Sequence, residues 1–299
     1  NLVLNCTSFL NADAGYEDAD GFAAKLTIGE GNVFDGCIAA YNADDGWDLF
    51  AKVETGPIGV VEIRNSVAYK NGYILDDEGN EINAGNGNGF KMGGSSITGP
   101  HILKNSVAFA NKAKGIDSNS GPDIRVYNST SFDNESYNVA LYTNDARNTD
   151  FIAEGILSFK QSNTVADQLK LLGSQDKSKV QNETNYFFNG TVSENTKGIK
   201  VDPSWFISLD TQKAIDGGIT RNADGTINLN GYLELSDKAP LNTGAIMGGT
   251  ASRVIEVKEQ KTADTIKDLT KGLEEVIKSG DNIKIEQEDN VCNIFLCNT

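Results

Sequence analysis

Cysteine, proline and long apolar runs are scarce in this sequence. Four cysteines in 299 residues do not make a disulfide framework, and no segment approaches the roughly 18 apolar residues of a membrane span. Five prolines against 31 glycines indicate many turns rather than disorder. Because 38% of the side chains are apolar, the chain can bury a substantial core, in one large domain or two ordinary ones.

Positive charge is also scarce. The chain has 26 lysine and arginine residues against 42 aspartate and glutamate residues, which gives a net charge of −16. This excess argues against a nucleic acid or an anionic membrane as a partner. It also argues against an anionic substrate, unless a bound cation reverses the charge locally.

A seven-residue segment recurs along the first half of the chain and ends in asparagine each time. The copies are NCTSFLN at 5–11, GCIAAYN at 36–42, NSVAYKN at 65–71, NSVAFAN at 105–111 and NSTSFDN at 128–134, with a weaker sixth, GILSFKQ, at 155–161. Apolar and small residues alternate within each copy, as in a strand with one buried face.

The spacing of the copies favours a solenoid. Residues 105 and 128, which begin consecutive copies, are 23 positions apart, too close for a βαβ unit of roughly 30 residues or more. One coil of a parallel β-helix fits this length, with ladders of stacked asparagines between coils. We therefore predict an all-β fold, a parallel β-helix; the alternative is a β-sandwich with a chance resemblance between segments.

A second register follows the closing asparagine of each copy. When the segments that follow successive copies are aligned, one column of equivalent positions contains Asp20, Asp45, Asn88, Lys114 and Tyr137. A second column, three residues later, contains Ala23, Asp48, Lys91, Asp117 and Ala140. Coils stack about 4.8 Å apart, so the members of a column should be neighbours in space. The long connections at 12–19 and 72–87 fall at the same turn, and we expect them to form walls beside these columns.

Four aspartates converge from two adjacent coils in this register. Asp20, Asp44, Asp45 and Asp48 would repel one another unless they are protonated, solvated apart or bound to a cation. Oxygen ligands in number, with no histidine or cysteine nearby, favour Ca²⁺ over zinc or a redox metal. The alternative is a solvated acidic turn in an acidic protein.

Lys91 occupies the position of Asp48 one coil further on. Its ammonium should therefore lie near the cation, which would lower its pKa and make the neutral amine usable as a base. A cation together with a lysine base suits the removal of a proton from carbon next to a carboxylate, as in β-elimination on a polyuronide. Alternatively, Lys91 only forms ion pairs with Asp48 and Asp117.

Several long motifs resemble those of polysaccharide lyase family 9, the pectate lyases with a right-handed parallel β-helix fold. They are DADGFAAK, GNVFDGCIAAYNADDGWDLF, NGFKMGG and KNSVAFANKAKGIDSNSGPDIRVYNSTSFDN. The resemblance implies a Ca²⁺ site formed by the four aspartates named above and a catalytic base at Lys91. It also implies further coils before residue 1, which this chain would lack.

The resemblance covers residues 1–250, with an irregular closing region at 201–249. We predict a β-helix domain over 1–250 and a tail of unknown role over 251–299. In that tail, the apolar stripe within 262–280 predicts a helix, and IKIEQ at 283–287 predicts a strand.

Four further polar residues are candidates for binding uronate carboxylates, because they lie on or near the same predicted face: Lys25, Lys114, Asn119 and Arg125. Pairing of these side chains with local acids is the alternative.

These inferences together predict a secreted, Ca²⁺-dependent pectate lyase that acts as a monomer on polygalacturonate. One alternative is a β-helical galacturonan hydrolase with Asp44 and Asp45 as acid and base, although a Gly-His-Gly step and an Arg-x-Lys step are missing near them. Another is a non-catalytic solenoid that uses Ca²⁺ to adhere to carbohydrate.

Overall fold

A computed structural model describes residues 1–145, 147, 149–247, 282–288 and 291–297. The chain divides into two compact units, Asn1–Met247 and Gly248–Thr299. The helix predicted over 262–280 lies outside the described residues, and the domain boundary at residue 250 stays a prediction. In the described part of the tail, two strands, Asn282–Glu288 (β25) and Val291–Cys297 (β26), pair in antiparallel register.

The first unit is built on three parallel sheets of six strands each, as the prediction of a parallel β-helix requires. With strands numbered in chain order, the first sheet contains Leu2–Leu4 (β1), Asn32–Asp35 (β4), Val61–Arg64 (β7), Ile102–Lys104 (β12), Arg125–Tyr127 (β15) and Ile152–Glu154 (β18). The second contains Thr7–Phe9 (β2), Ile38–Ala40 (β5), Val67–Tyr69 (β8), Val107–Phe109 (β13), Thr130–Phe132 (β16) and Leu157–Phe159 (β19). The third contains Phe22–Ala23 (β3), Trp47–Asp48 (β6), Phe90–Lys91 (β11), Ile116–Asp117 (β14), Val139–Tyr142 (β17) and Gln168–Lys170 (β20).

The recurring segments are the strands of the second sheet, and their register is the one the alignment predicts. Val107, for example, pairs with Val67 on one side and Thr130 on the other. Each copy begins at a residue with positive φ, between 42° and 68°, where the chain turns from the first sheet into the second. Only asparagine or glycine stands there, the residues that adopt this conformation most readily.

Asparagine side chains stack along the turn between the second and third sheets. The Nδ2 of Asn11, Asn42, Asn71 and Asn111 each donates to the Oδ1 of the next asparagine in the series, which ends at Asn134, over 2.7–2.9 Å. From Asn42 to Asn134 these side chains are fully buried. The ladder satisfies polar groups that would otherwise be costly to bury at every turn.

Aromatic and aliphatic side chains fill the interior of the solenoid. Trp47 is fully buried between Phe22 and Phe90, with ring centroids 4.9 and 4.8 Å away. The same inward positions continue as Ile116 and Val139 in the next two coils. This stack holds the third sheet at fixed spacing along the coils.

A second apolar cluster covers the outside of the second sheet. The segment 201–247 runs back along it, so that Phe206 stacks on Phe159 at 5.5 Å and Tyr232 meets Phe109 at 4.8 Å. At the far end, the Arg221 guanidinium donates to the backbone oxygens of Cys6 and Gly36, in the first two coils. The region predicted to close the solenoid therefore braces most of its length.

The remaining elements are short. Strands Tyr73–Leu75 (β9) and Glu81–Asn83 (β10) form a hairpin within the insertion at 72–87. Two more antiparallel pairs are Phe187–Phe188 (β21) with Ser193–Glu194 (β22) and Thr220–Arg221 (β23) with Ile227–Asn228 (β24). The helical turns are Lys177–Lys179, Pro203–Trp205, Thr211–Lys213 and Ala214–Gly218. No helix in the described ranges has the length and apolarity needed to cross a membrane.

We expect Asn111→Ala to lower the free energy of unfolding by about 3 kcal/mol, because it leaves buried partners unpaired on both sides. The Asn111 side chain takes part in four hydrogen bonds, with Asn71, Asn134 and the Ala68 carbonyl. Asn11→Ala, at the exposed end of the same ladder, is the matched control and should cost about 1 kcal/mol. Denaturant titration measures both, and equal losses would contradict the ladder's role.

His101 should make the fold sensitive to acid. Its side chain is buried, its Nδ1 accepts the backbone N–H of Val61, and burial lowers its pKa to about 4 from 6.5. The unfolded chain therefore binds a proton between pH 6.5 and 4 that the folded chain does not, so stability falls as the pH drops through this window, by up to about 3 kcal/mol. The difference between the stability curves of the wild type and His101→Gln should show this slope; parallel curves would count against it.

Candidate active site

The short strands of the third sheet carry the polar side chains of the candidate site. Because side chains alternate along a strand, Trp47 and Phe90 face the core while Asp48 and Lys91 face outward. Lys91 pairs in register with Asp48 on one side and Asp117 on the other. The second predicted column is thus confirmed by the register.

A cleft of about 680 Å³ lies over these outward positions. Both predicted insertions contribute to it, with Glu17 and Asp18 from the first and Asn86 from the second. The two insertions touch where the backbone of Gly85 meets that of Tyr16, so closely that a Cβ at position 85 would lie 1.9 Å from the Tyr16 carbonyl oxygen. The loops expected to be walls therefore brace each other.

Three of the four predicted aspartates form a compact group. Asp20, Asp45 and Asp48 each offer a carboxylate oxygen, and these oxygens lie within 4.8 Å of one another. Asp20 is tied to the neighbouring coil, because its Oδ1 accepts the backbone N–H of Asp45 at 3.2 Å. Burial raises the pKa of Asp20 to about 6.

Asp44 and Asp45 are held by the long insertion. The backbone N–H of Asn86 donates to Asp44 Oδ1 at 3.0 Å, while Asn88 donates to Asp45 Oδ1 from its backbone and from its side chain, at 2.8 and 2.7 Å. Burial, with a smaller contribution from Asp45, raises the pKa of Asp44 to about 7. Asp44 thus lies beside the group of three aspartates and faces the second wall.

Lys91 lies against two of these carboxylates. Its Nζ is 2.8 Å from Asp45 Oδ2 and 3.4 Å from Asp48 Oδ2, and it sits 5.7 Å from the centroid of the Phe50 ring. Burial opposes the charged form of Lys91, but the carboxylates of Asp45 and Asp48 outweigh it, so its pKa is raised. The low pKa expected from the sequence is therefore not what these side-chain contacts produce.

Lys25 is a second ammonium at the same carboxylates. Its Nζ is 2.7 Å from Asp20 Oδ2 and 2.9 Å from Asp48 Oδ2. The sequence predicted a contact with the substrate for this side chain; the structure shows it in the cleft but paired with two predicted metal ligands.

The other predicted substrate contacts differ in position. Lys114 and Asn119 line the cleft; Lys114 pairs with the buried Asp117 at 2.7 Å, and the Asn119 amide donates to the Gly93 carbonyl at 2.9 Å. Arg125 lies in β15 of the first sheet, where it pairs with Asp150, and it is not among the residues that line the cleft. Pairing with a local acid, the alternative reading, describes Arg125 better.

The donor set fits a hard divalent cation. Carboxylate oxygens from three residues converge, and divalent Ca²⁺ takes oxygen ligands. Asp48 Oδ1 is buried and has no hydrogen-bond partner among the residues that the structure describes. An unpaired buried carboxylate oxygen is costly, and a bound cation would satisfy it.

Sequence reasoning did not assign roles to Asn88 and Phe50. Asn88 stands in the same column as Asp45, and this position could have indicated that its side chain would donate to the Asp45 carboxylate. Phe50 gave no such signal. Its ring packs on Gly94, where a Cβ would come within 2.1 Å of it, so only glycine at 94 lets the ring lie beside Lys91.

Comparison with known proteins agrees with this fold. Residues 1–163 match a family model described as "Pel9A-like, right handed beta helix region". The chain is 44% identical over 259 residues to pectate lyase L of Paenibacillus polymyxa, covering 85% of this chain and 52% of that protein. It is 39% identical over 207 residues to pectate lyase L of Thermoclostridium stercorarium, covering 69% of this chain and 16% of that protein.

The crystal structure of pectate lyase Pel9A superposes with a TM-score of 0.60 at 31% identity, covering 84% of this chain and 56% of that one. The chain thus spans about half the length of the first of these relatives and of the superposed structure, and a smaller share of the second relative.

Proposed function

Because the chain belongs to the Pel9A-like family of right-handed β-helices, we propose that it is a pectate lyase, cleaving α-1,4-linked polygalacturonate by β-elimination. The observation that carries the proposal is the position of Lys91, in a cleft and 2.8 Å from a carboxylate of the candidate cation site. The names of the two curated relatives and of the superposed structure, all pectate lyases, support it.

In this proposal Asp20, Asp45 and Asp48 hold Ca²⁺, and Asp44 is the fourth predicted ligand. The ion would bind the uronate carboxylate and stabilise the negative charge that develops beside it when the C5 proton leaves. A bound Ca²⁺ would also explain how a chain with a net charge of −16 binds an acidic polymer.

Lys91 is the proposed base. Its amine takes the proton from C5 of the sugar, and the electron pair of that C–H bond forms the double bond between C4 and C5. The bond from C4 to the glycosidic oxygen breaks, and its electron pair leaves with the oxygen, which takes a proton from water to become the hydroxyl of the released sugar. Lys91 must be in its neutral amine form before it accepts a proton, and Asp45 and Asp48 by themselves favour the ammonium. A cation shared by these carboxylates would weaken that attraction and favour the amine.

Lys114 and Asn119 are the proposed contacts for neighbouring uronate units, because both line the cleft. Lys25 can serve in this way only if it leaves Asp20 and Asp48. Arg125 is left out of the proposal because of its position in the first sheet. Secretion and a monomeric state stay predictions.

One observation favours a second candidate, a galacturonan hydrolase. The pKa of Asp44, raised to about 7, would suit a general acid. Its partner Asp45, however, is fully buried and already paired with Asn88 and Lys91, which does not suit a base that activates water. Elimination produces a double bond conjugated with the carboxylate, which absorbs in the ultraviolet, whereas hydrolysis produces none.

We expect Lys91→Ala to lower the rate of ultraviolet product formation on polygalacturonate by about 10³-fold, the order contributed by a positioned general base. Circular dichroism should show an intact fold, because Lys91 points into the cleft rather than the core. Lys179→Ala, which breaks a surface pair with Asp150, is the matched control and should keep full activity. Turnover by Lys91→Ala at the rate of the control would rule out this mechanism.

Removal of divalent ions should abolish elimination, and added Ca²⁺ should restore it. The same addition should raise the melting temperature, because an ion that binds only the folded chain stabilises it. The measurements are product absorbance and thermal unfolding in excess chelator and after back-titration. Full activity in chelator would refute the metal role given to the aspartates.

A further inference from the structure

Two lysines, rather than one, compensate the buried carboxylates of the candidate cation site. Lys91 contacts Asp45 and Asp48, while Lys25 contacts Asp20 and Asp48. The proposed mechanism uses Lys91 and leaves Lys25 without a task. We propose that Lys25 occupies the cation site in the ion-free chain and competes with the divalent ion for Asp20 and Asp48, an inference that rests on the function proposed above.

The contact distances carry this inference. Lys25 Nζ lies 2.7 Å from Asp20 Oδ2 and 2.9 Å from Asp48 Oδ2, and Ca²⁺ binds carboxylate oxygens at about 2.3–2.6 Å. An ion that takes Asp20 and Asp48 as ligands therefore uses the carboxylates that already hold the ammonium. The side chains of both aspartates are almost fully buried, at 1% and 3% exposure, where two adjacent positive charges repel strongly. The ion and the ammonium thus compete for these two carboxylates.

Lys25 is better placed to leave than Lys91. Lys91 lies in β11, which is hydrogen-bonded to β6 on one side and β14 on the other. Lys25 lies two residues after β3, the last strand of its sheet, and its side chain is 23% exposed against 16% for Lys91. The greater exposure of Lys25 and its position at the end of the sheet make it the lysine that we expect an ion to displace.

The two carboxylate oxygens of Asp48 indicate how an ion would replace the Lys25 ammonium. Both ammonium groups contact its Oδ2, while its Oδ1 is buried with no hydrogen-bond partner in the described part of the chain. An incoming ion can first bind Oδ1 and then take over the oxygens held by Lys25. The lysine thereby stabilises the ion-free site and sets how much free Ca²⁺ is needed to fill it.

The test is the affinity for Ca²⁺ itself, measured by isothermal titration calorimetry at fixed pH and ionic strength with no polysaccharide present. Lys25→Met removes the charge and keeps the length of the side chain, and it should bind Ca²⁺ about tenfold more tightly, a change of 1.4 kcal/mol. Lys25→Arg keeps the charge and should bind no more tightly than the wild type. Lys52→Met removes a charge from an exposed cleft residue that has no ion pair in the described ranges, and it should change the affinity less than twofold.

Thermal unfolding gives a second measurement if Lys25→Met is unstable without the ion. In chelator its melting temperature should lie below that of the wild type, because Asp20 and Asp48 lose their counter-ion. Saturating Ca²⁺ should raise it by more than it raises the wild type. Stabilisation equal to that of the wild type would contradict competition at this site.

The outcomes separate this inference from the proposed function. If the wild type binds Ca²⁺ and Lys25→Met binds it with equal or lower affinity, Lys25 is not a competitor. If Lys52→Met gains as much affinity as Lys25→Met, the effect is one of net charge, and the specific role is wrong. If neither the wild type nor Lys25→Met binds Ca²⁺, the metal site of the proposed function fails, and this inference fails with it.

Discussion

Parallel stacking in fixed register is the constraint on which the rest of this structure depends. Each coil contributes one short strand to each of three sheets, and the strands of a sheet lie one hydrogen-bonding distance apart, about 4.8 Å. Residues at equivalent positions are therefore forced into contact whatever their chemistry. Inside the solenoid this spacing stacks Phe22, Trp47 and Phe90; at the turn it aligns the amides of the asparagine ladder.

The same spacing has the opposite effect on charged residues. It brings Asp20 next to Asp45 and places Asp48 beside Lys91, in positions from which water is largely excluded. Carboxylates so placed must be protonated, paired or bound to a cation, and here ammonium groups from adjacent coils compensate them. Burial nevertheless raises the pKa of both Asp20 and Asp44.

Backbone donors from the insertions make the arrangement rigid. Asn86, in the second wall, donates to Asp44, and Asn88, directly after that wall, donates to Asp45. The first wall supports the second where Tyr16 meets Gly85. Behind the second sheet, the segment 201–247 packs along the coils and reaches the first two through Arg221. The side chains of the candidate site are thus carried on strands and held from several directions.

The sequence by itself determined the repeat, the fold and the membership of the two site columns, because a solenoid turns a sequence alignment directly into spatial neighbours. The asparagine ladder and the positions of Asp45, Asp48 and Lys91 followed from that rule. It could not decide which partner each charged side chain chooses, since alignment gives the position of a residue and not the direction of its side chain. Only the tertiary structure shows that Lys25 pairs with Asp20 and Asp48 and that Phe50 packs on Gly94. It also shows that Arg125 lies in the first sheet, outside the cleft. These contacts join loops to strands across the coil, where sequence spacing carries no information about distance.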